Sequence, residues 1–204
     1  MTALTVDKYG STTTLTASST PVFAHQTVTF TAHVTPGGGN PLATGSVTFM
    51  DGAKPIGSIY LNASGTAVFS TALLATGSHS VTAVYSGNAS LTPSTSAAVV
   101  VQILAKVATS TTIATSAAKI VAGASVTFTA RVKPATGTVI PTGTVTFHDV
   151  NATIGTGTLD GTGSATFTTS TLAVGPHSIS AAYGGDAGNL SSVSAAVKVN
   201  VTAK

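Results

Sequence analysis

The side chains able to do chemistry are few enough to weigh one by one. The acids are Asp7, Asp51, Asp149, Asp160 and Asp186, with no Glu, and the histidines are His25, His33, His79, His148 and His177. General acid–base catalysis needs such groups to converge, and glycoside cleavage takes two carboxylates at one site. The first half of the chain has only Asp51, apart from Asp7 near its start. Ser, His and Asp all occur, but no Gly-x-Ser-x-Gly elbow and no Gly-x-x-x-x-Gly-Lys phosphate loop does. Without Cys there are no disulfides and no thiolate metal sites. The reading is that the chain is not an enzyme and needs no cofactor. Calcium is the one metal kept in view. It wants six to eight oxygens, and the candidates are Asp186 and Asn189 in the last loop, with Asp149 and Asp160 adding to them only if the loops converge. The histidines at 79 and 177 are read as having no carboxylate, Cys or second His at a recurring distance, so both are assigned structural roles.

Composition excludes further classes. Charged residues make up 6% of the chain and hydrophobic ones 43%, where a soluble domain usually carries about a quarter charged. Thr and Ser fill the gap, and Thr suits a half-wet pleated surface. The net charge of +3 comes from scarcity of acids, since the eight Lys and Arg are scattered singly. Nucleic-acid binding needs a basic stripe, and none is visible. The apolar run Ala97–Val101 ends at Gln102 and is too short to cross a bilayer. Residues 1–30 lack the basic and apolar regions of a signal peptide.

The elements that position these residues are copied. Slid so that Lys8 falls on Lys106 and Lys106 on Lys204, the chain lies on itself without a gap from Thr12 to Val101. Val28-Thr29-Phe30-Thr31-Ala32 recurs as Val126-Thr127-Phe128-Thr129-Ala130, and Gly77-Ser78-His79-Ser80 as Gly175-Pro176-His177-Ser178. The expected organisation is a tail of a preceding repeat or an added leader over 1–11, repeat one over 12–104, a linker over 105–109 and repeat two over 110–204. The end phasing favours excision from a longer array. The connector Ala105–Ser110 has neither Gly nor Pro, which should limit hinge motion.

Within each copy, apolar residues alternate with Thr and Ser at period two, the mark of half-buried strands. Val28, Phe30, Ala32 and Val34 share a face; so do Val47 and Phe49, Ala67 and Phe69, Val81, Ala83 and Tyr85, and Val99, Val101 and Ile103. About seven short strands per copy, split by turn signals such as Asp51-Gly52 and Asn62-Ala63-Ser64-Gly65, predict an all-β fold: two tandem immunoglobulin-like antiparallel sandwiches. His79 and His177 share a face with the apolar residues of their strand, and are expected to tie a corner to nearby backbone as a Tyr does in other sandwiches. Tyr85 and Tyr183 are expected to cap the core with their hydroxyls toward water. The Asn-x-Ser/Thr triplets at Asn62, Asn88, Asn151, Asn189 and Asn200 arise readily by chance in so Ser- and Thr-rich a chain.

Pro141-Thr142-Gly143-Thr144-Val145-Thr146-Phe147, Asp149, Ile154-Gly155, Leu159, Ala165-Thr166-Phe167, Leu172, Gly175-Pro176-His177 and Tyr183-Gly184-Gly185-Asp186 stand in order in repeat two. This pattern resembles the bacterial Ig-like repeat of the group-three type, over nearly the whole chain and twice. Repeat one departs by Ala43 in place of Pro141 and Asn88 in place of Asp186; repeat two has Val150 where repeat one has Gly52. The resemblance implies a non-catalytic spacer in a large bacterial surface or secreted protein, an adhesin-type stalk located outside the cell. Its partners would be neighbouring Ig-like repeats. The alternatives are a module that binds a glycan or a host surface protein through the loops Gly37–Gly39 and Gly184–Gly188, and a phage structural decoration.

Overall fold

The computed structural model describes residues 7–18, 20–39 and 42–204. The chain divides into two units, Met1–Ala105 and Lys106–Lys204. In the first, β1 (Ser11–Ala17), β3 (Val28–Pro36) and β6 (Thr66–Thr71) make a three-stranded sheet in the order β1-β3-β6. The facing sheet runs β2 (Val22–Phe23), β9 (Val99–Leu104), β7 (Gly77–Tyr85), β4 (Ser46–Asp51) and β5 (Lys54–Tyr60), with β8 (Ser94–Thr95) added on β7. The second unit repeats this plan. Its sheets are β10 (Thr109–Thr115), β12 (Val126–Pro134) and β15 (Ser164–Thr169), and β11 (Lys119–Val121), β18 (Val197–Thr202), β16 (Gly175–Tyr183), β13 (Thr144–Asp149) and β14 (Ala152–Thr158), with β17 (Ser192–Val193) on β16. No α-helix occurs among the described residues.

The period-two pattern does what strand geometry requires, since alternate side chains enter opposite faces. Val28, Phe30, Ala32 and Val34 are buried, as are Val47 and Phe49 and the row Val81, Ala83 and Tyr85. Each unit has its own apolar cluster, built in the second on Val126, Phe128, Val145, Phe147, Ile179 and Tyr183. Full burial of a Val or Phe stabilises by about 1.5–3 kcal/mol, so these rows are the main source of cohesion. Phe49 stacks on Phe69 with ring centroids 5.3 Å apart, and Phe147 on Phe167 at 5.6 Å. The rings fit because Gly57 and Gly155 lie beneath them: a Cβ there would stand 2.5 Å from Phe69 Cε2 and 2.1 Å from Phe167 Cε2.

The seven long strands of each unit match the expected number, and the structure adds β2 and β8, β11 and β17. Pieces of two or three residues are too short to show an alternation. β2 and β11 run parallel to the last strands of their units, with Val22 opposite Ile103 and Ile120 opposite Val201. The segments placed outside the repeats by sequence hydrogen-bond into the units. Tyr9 N–H donates to Ser90 O and Thr92 N–H to Tyr9 O, while Val107 N–H donates to Gly188 O and Leu190 N–H to Val107 O. Residues 1–6 of the expected leader lie outside the described residues.

Candidate functional site

The residues with the most organised polar geometry lie where β4 meets β7 and, in the second unit, where β13 meets β16. Asp51 stands opposite Val81 across the β4–β7 ladder, and Asp149 opposite Ile179. A residue two positions along the facing strand is a diagonal neighbour on the same face, and those neighbours are His79 and His177. His79 Nδ1 is 2.6 Å from Asp51 Oδ2, and His177 Nδ1 is 2.5 Å from Asp149 Oδ2. The other ring nitrogen, Nε2, donates to the carbonyl of Ala75 in one unit and Ala173 in the other, both at 2.8 Å. Each His thus ties the end of one strand, the start of another and the loop before it.

The expectation that no carboxylate accompanies these histidines is corrected here. Asp51 precedes His79, and Asp149 precedes His177, by the same 28 residues. The recurring spacing was present in the sequence, but only the β4–β7 register turns it into contact. Both imidazoles are raised above the ordinary histidine range, first by the hydrogen bond to the carboxylate; Ala75 and Ala173 carbonyls add to it and burial opposes it. Burial pushes Asp149 up, but the bonds from His177 and Ser178 N–H, and the nearby charges of His177 and Lys198, leave it below its ordinary value.

A His–Asp pair invites comparison with a catalytic dyad. In a hydrolytic triad Nε2 takes the proton of a nucleophile. Here that nitrogen is spent on a backbone carbonyl, so the pair is built to hold a loop.

Tyr85 and Tyr183 differ from their expected setting. Both end a central strand, but their hydroxyls do not face water. Tyr85 is fully buried and donates to Thr44 O at 2.8 Å. Tyr183 is equally buried, and its hydroxyl lies beside Thr142 O and Asp186 without completing a hydrogen bond. The side chain closes the core beneath the loop that follows, and this shuts its tip away from solvent. Burial raises both phenols, Tyr183 the more strongly, with the Asp186 carboxylate adding to the effect.

Asp186 and Asn189 do come together, in a loop where nearly all the contacts are internal. Asp186 Oδ1 accepts from Gly188 N–H, Asn189 N–H and Asn189 Nδ2, and Oδ2 accepts from Thr142 N–H and Thr142 Oγ1. Burial opposes ionisation of Asp186, but these donors outweigh it and hold the carboxyl well below the usual range. In the first unit Asn88 does the same work: Oδ1 accepts from Ser90 and Leu91 N–H, and Nδ2 donates to Thr44 Oγ1. Asp149 and Asp160 are engaged elsewhere, the first with His177 and the second within its own turn to Thr162 and Ser164. Among the described residues, no three His, Cys, Asp or Glu side chains gather as a metal site.

The most exposed large apolar side chain among the described residues is Leu73, at 92%. Two shallow grooves flank it. One, of about 290 Å³, is lined by Ala24, His25, Leu74 and Ala75; the other, of about 220 Å³, by Lys54, Pro55, Ile56 and Thr71. The second unit has Thr171 at the Leu73 position. No sequence periodicity marks this patch, because Leu73 lies in a loop.

A family model described as the bacterial Ig-like domain (group 3) matches residues 5–104 and again 111–202. The chain belongs to this family. The bacterial Ig-like match covers both units, so the duplicated His–Asp tie and buried Tyr are features of two successive family domains. No curated protein matches the chain. Among solved structures, the fibronectin(III)-like modules of Clostridium thermocellum CbhA are similar at 19% identity and a TM-score of 0.46, over 93% of this chain and 94% of that one. The Yersinia pseudotuberculosis adhesin InvE is similar at 23% identity and a TM-score of 0.40, and the Escherichia coli adhesin FdeC at 18% and 0.39. Each covers 93% of this chain, which spans 59% of the first adhesin and 63% of the second. No helix among the described residues is long and apolar enough to cross a membrane.

Proposed function

We propose that these two bacterial Ig-like domains are non-catalytic structural repeats of a bacterial surface or secreted protein, a segment of an adhesin-type stalk outside the cell. The observation that carries this reading is the way the polar groups are used. His79, His177, Asp51, Asp149 and Asp186 all close internal bonds between strands and loops. Hydroxyl pairs lie on the outward faces of the three-stranded sheets: Thr29 meets Ser70, and Thr127 meets Thr168.

The topology fits a load-bearing part. β2 and β11 lie near the N-terminal end of each unit and run parallel to the C-terminal strand. Force applied to the two ends of a unit drags such strands past each other along their length, so the bonds between them resist together rather than one at a time. The test is single-molecule extension of the full chain: two unfolding events of equal length gain are expected. Extension without distinct force peaks would overturn the stalk reading.

A second reading, in which the first domain binds a host protein or a glycan, is favoured by Leu73 and its flanking grooves. Leu73 stands clear of the core between two grooves, a small apolar foothold that a ligand could cover. Arrayed glycans and host surface proteins that bind the chain, and lose binding on Leu73→Ser, would support it; retention of no ligand leaves the stalk.

A further inference from the structure

The hydrogen bonds of His79 and His177 fix more than ring position, because neither ring faces a donor. A backbone carbonyl can only accept, so Nε2 must carry a proton to bond Ala75 or Ala173 at 2.8 Å. An ionised carboxylate can only accept as well, so Nδ1 must carry one to bond Asp51 or Asp149. A neutral imidazole has a single N–H, and both bonds together require the imidazolium.

We propose that His79 and His177 are held as imidazolium cations that lock each domain's 72–76 or 170–174 loop to its central strands, and that loss of one proton on alkalinisation releases the loop. The proton that leaves is the one on Nε2. In the neutral ring that remains, an Nδ1–H bond to the carboxylate is still charge-assisted and about twice as strong as an Nε2–H bond to a carbonyl, where both partners would be neutral. The deprotonated ring then sets the Nε2 lone pair against the lone pairs of Ala75 O or Ala173 O, and the loop carbonyl has to turn to water.

The surroundings of the two rings are sparsely charged. In the first domain, β4 brings Asp51 and β5 sets Lys54 opposite it, while β9 offers Val101 opposite His79 with Val100 and Gln102 beside it. His25 lines the groove shared with Ala75. In the second, β13 brings Asp149, β14 sets Ala152 opposite it, and β18 places Val199 opposite His177 with Lys198 alongside, its Nζ 2.8 Å from Ser178 Oγ. Lys204 approaches Gly123, the counterpart of His25. Lys198 stands where the first domain has Val100, so an extra cation lies near the second lock, and its charge opposes the imidazolium.

The sign of the pH effect follows from the direction of the shift. Both histidines are raised, so the lock stabilises fully below the unfolded value of about 6.5 and fades as pH rises through the folded pKa. Mild acid therefore tightens the loops, and alkali loosens them without unfolding the sandwich.

Nitrogen-detected NMR titration of the histidine rings in the full chain, set against the same chain unfolded in urea, tests the proposal. The expected result is an imidazolium signature on both nitrogens of His79 and His177 that persists above the midpoint of the unfolded chain. It should give way to a neutral ring protonated on Nδ1, the tautomer less favoured in free imidazole. Amide exchange at Leu73–Thr76 and Thr171–Val174 should then rise faster with pH than base catalysis alone requires. Asp51→Asn should lower the His79 midpoint and leave His177 in the same chain unchanged, and Asp149→Asn should do the converse. If either variant fails to fold, the titration of the unaltered chain decides. A midpoint at or below that of the unfolded chain, or a neutral ring protonated on Nε2, overturns the proposal.

Discussion

Tyr85 and Tyr183 occupy copied positions, yet replacing each with Phe is expected to move stability in opposite directions. In the first domain the substitution removes the 2.8 Å bond from the Tyr85 hydroxyl to Thr44 O. Thr44 is an exposed residue, so water can take over its carbonyl, and the loss should be about 0.5–1.5 kcal/mol, the net worth of an ordinary hydrogen bond. In the second domain the Tyr183 hydroxyl is buried beside Thr142 O and Asp186 but closes no well-formed hydrogen bond with either. A polar group left fully unpaired holds stability back by about 1–3 kcal/mol; with two acceptors close by, the Tyr183 hydroxyl forfeits only part of that, which Phe restores while keeping the packed ring. The two variants should therefore diverge by about 1 kcal/mol or more. For a domain of this size a change of 1 kcal/mol moves Tm by roughly 4–8 °C, so Tyr85→Phe lowers one unfolding transition and Tyr183→Phe raises the other by several degrees. Native-state amide exchange of the full chain, read peptide by peptide, gives each domain its own opening free energy. Equal destabilisation by both substitutions would refute the reasoning, because it would mean that the Tyr183 hydroxyl is bonded in solution as Tyr85 is.

Three further outcomes follow from the same comparison of copies. Val150 sits at φ 56°, where its copy Gly52 sits at φ 55°, and a branched side chain in that region is strained by about 1–2 kcal/mol. Allowing for the looser unfolded chain that Gly brings, Val150→Gly should stabilise the second domain by about 0.5–1 kcal/mol, and Gly52→Val should destabilise the first, both read by urea denaturation. Gly155→Ala would set a methyl 2.1 Å from Phe167 Cε2 and should destabilise by about 1–3 kcal/mol through overpacking, with Phe167→Leu in the same chain recovering part of the loss. Asp186 is held below the ordinary carboxylate range, so its share of stability is whole above about pH 3.9 and is lost as pH falls through its folded pKa. Asp186→Asn, which copies Asn88, should make the 186–190 loop insensitive to acid by amide exchange between pH 2 and 5.

The fold was largely written in local pattern. Rows such as Val28-Phe30-Ala32-Val34 declare a buried strand face by alternation alone, and copying of the whole unit declares two domains. Burial is a property of side-chain type and strand period, and both can be read along the chain. The short strands β2 and β8 could not be read this way, since pairing over two residues is decided by what the partner strand offers.

The polar sites were only half legible. The copied Asp and His could be found in the sequence at one constant spacing, and the copied Tyr at the end of one strand. Whether those groups touch, and which way each hydroxyl or ring nitrogen points, depended on register between strands far apart in sequence. Asp51 meets His79 because β4 pairs with β7 so that Asp51 faces Val81; a slip of one residue would turn the carboxylate to the opposite face. Likewise the Tyr183 hydroxyl lost its access to water because the Thr142 and Asp186 segments converge over it. Sequence determined which side chains lie on which face of which strand, since that is fixed by the pleat. Tertiary structure alone decided their partners, their exposure and hence their proton affinity, since these depend on distances of a few ångströms between segments that the chain order leaves free.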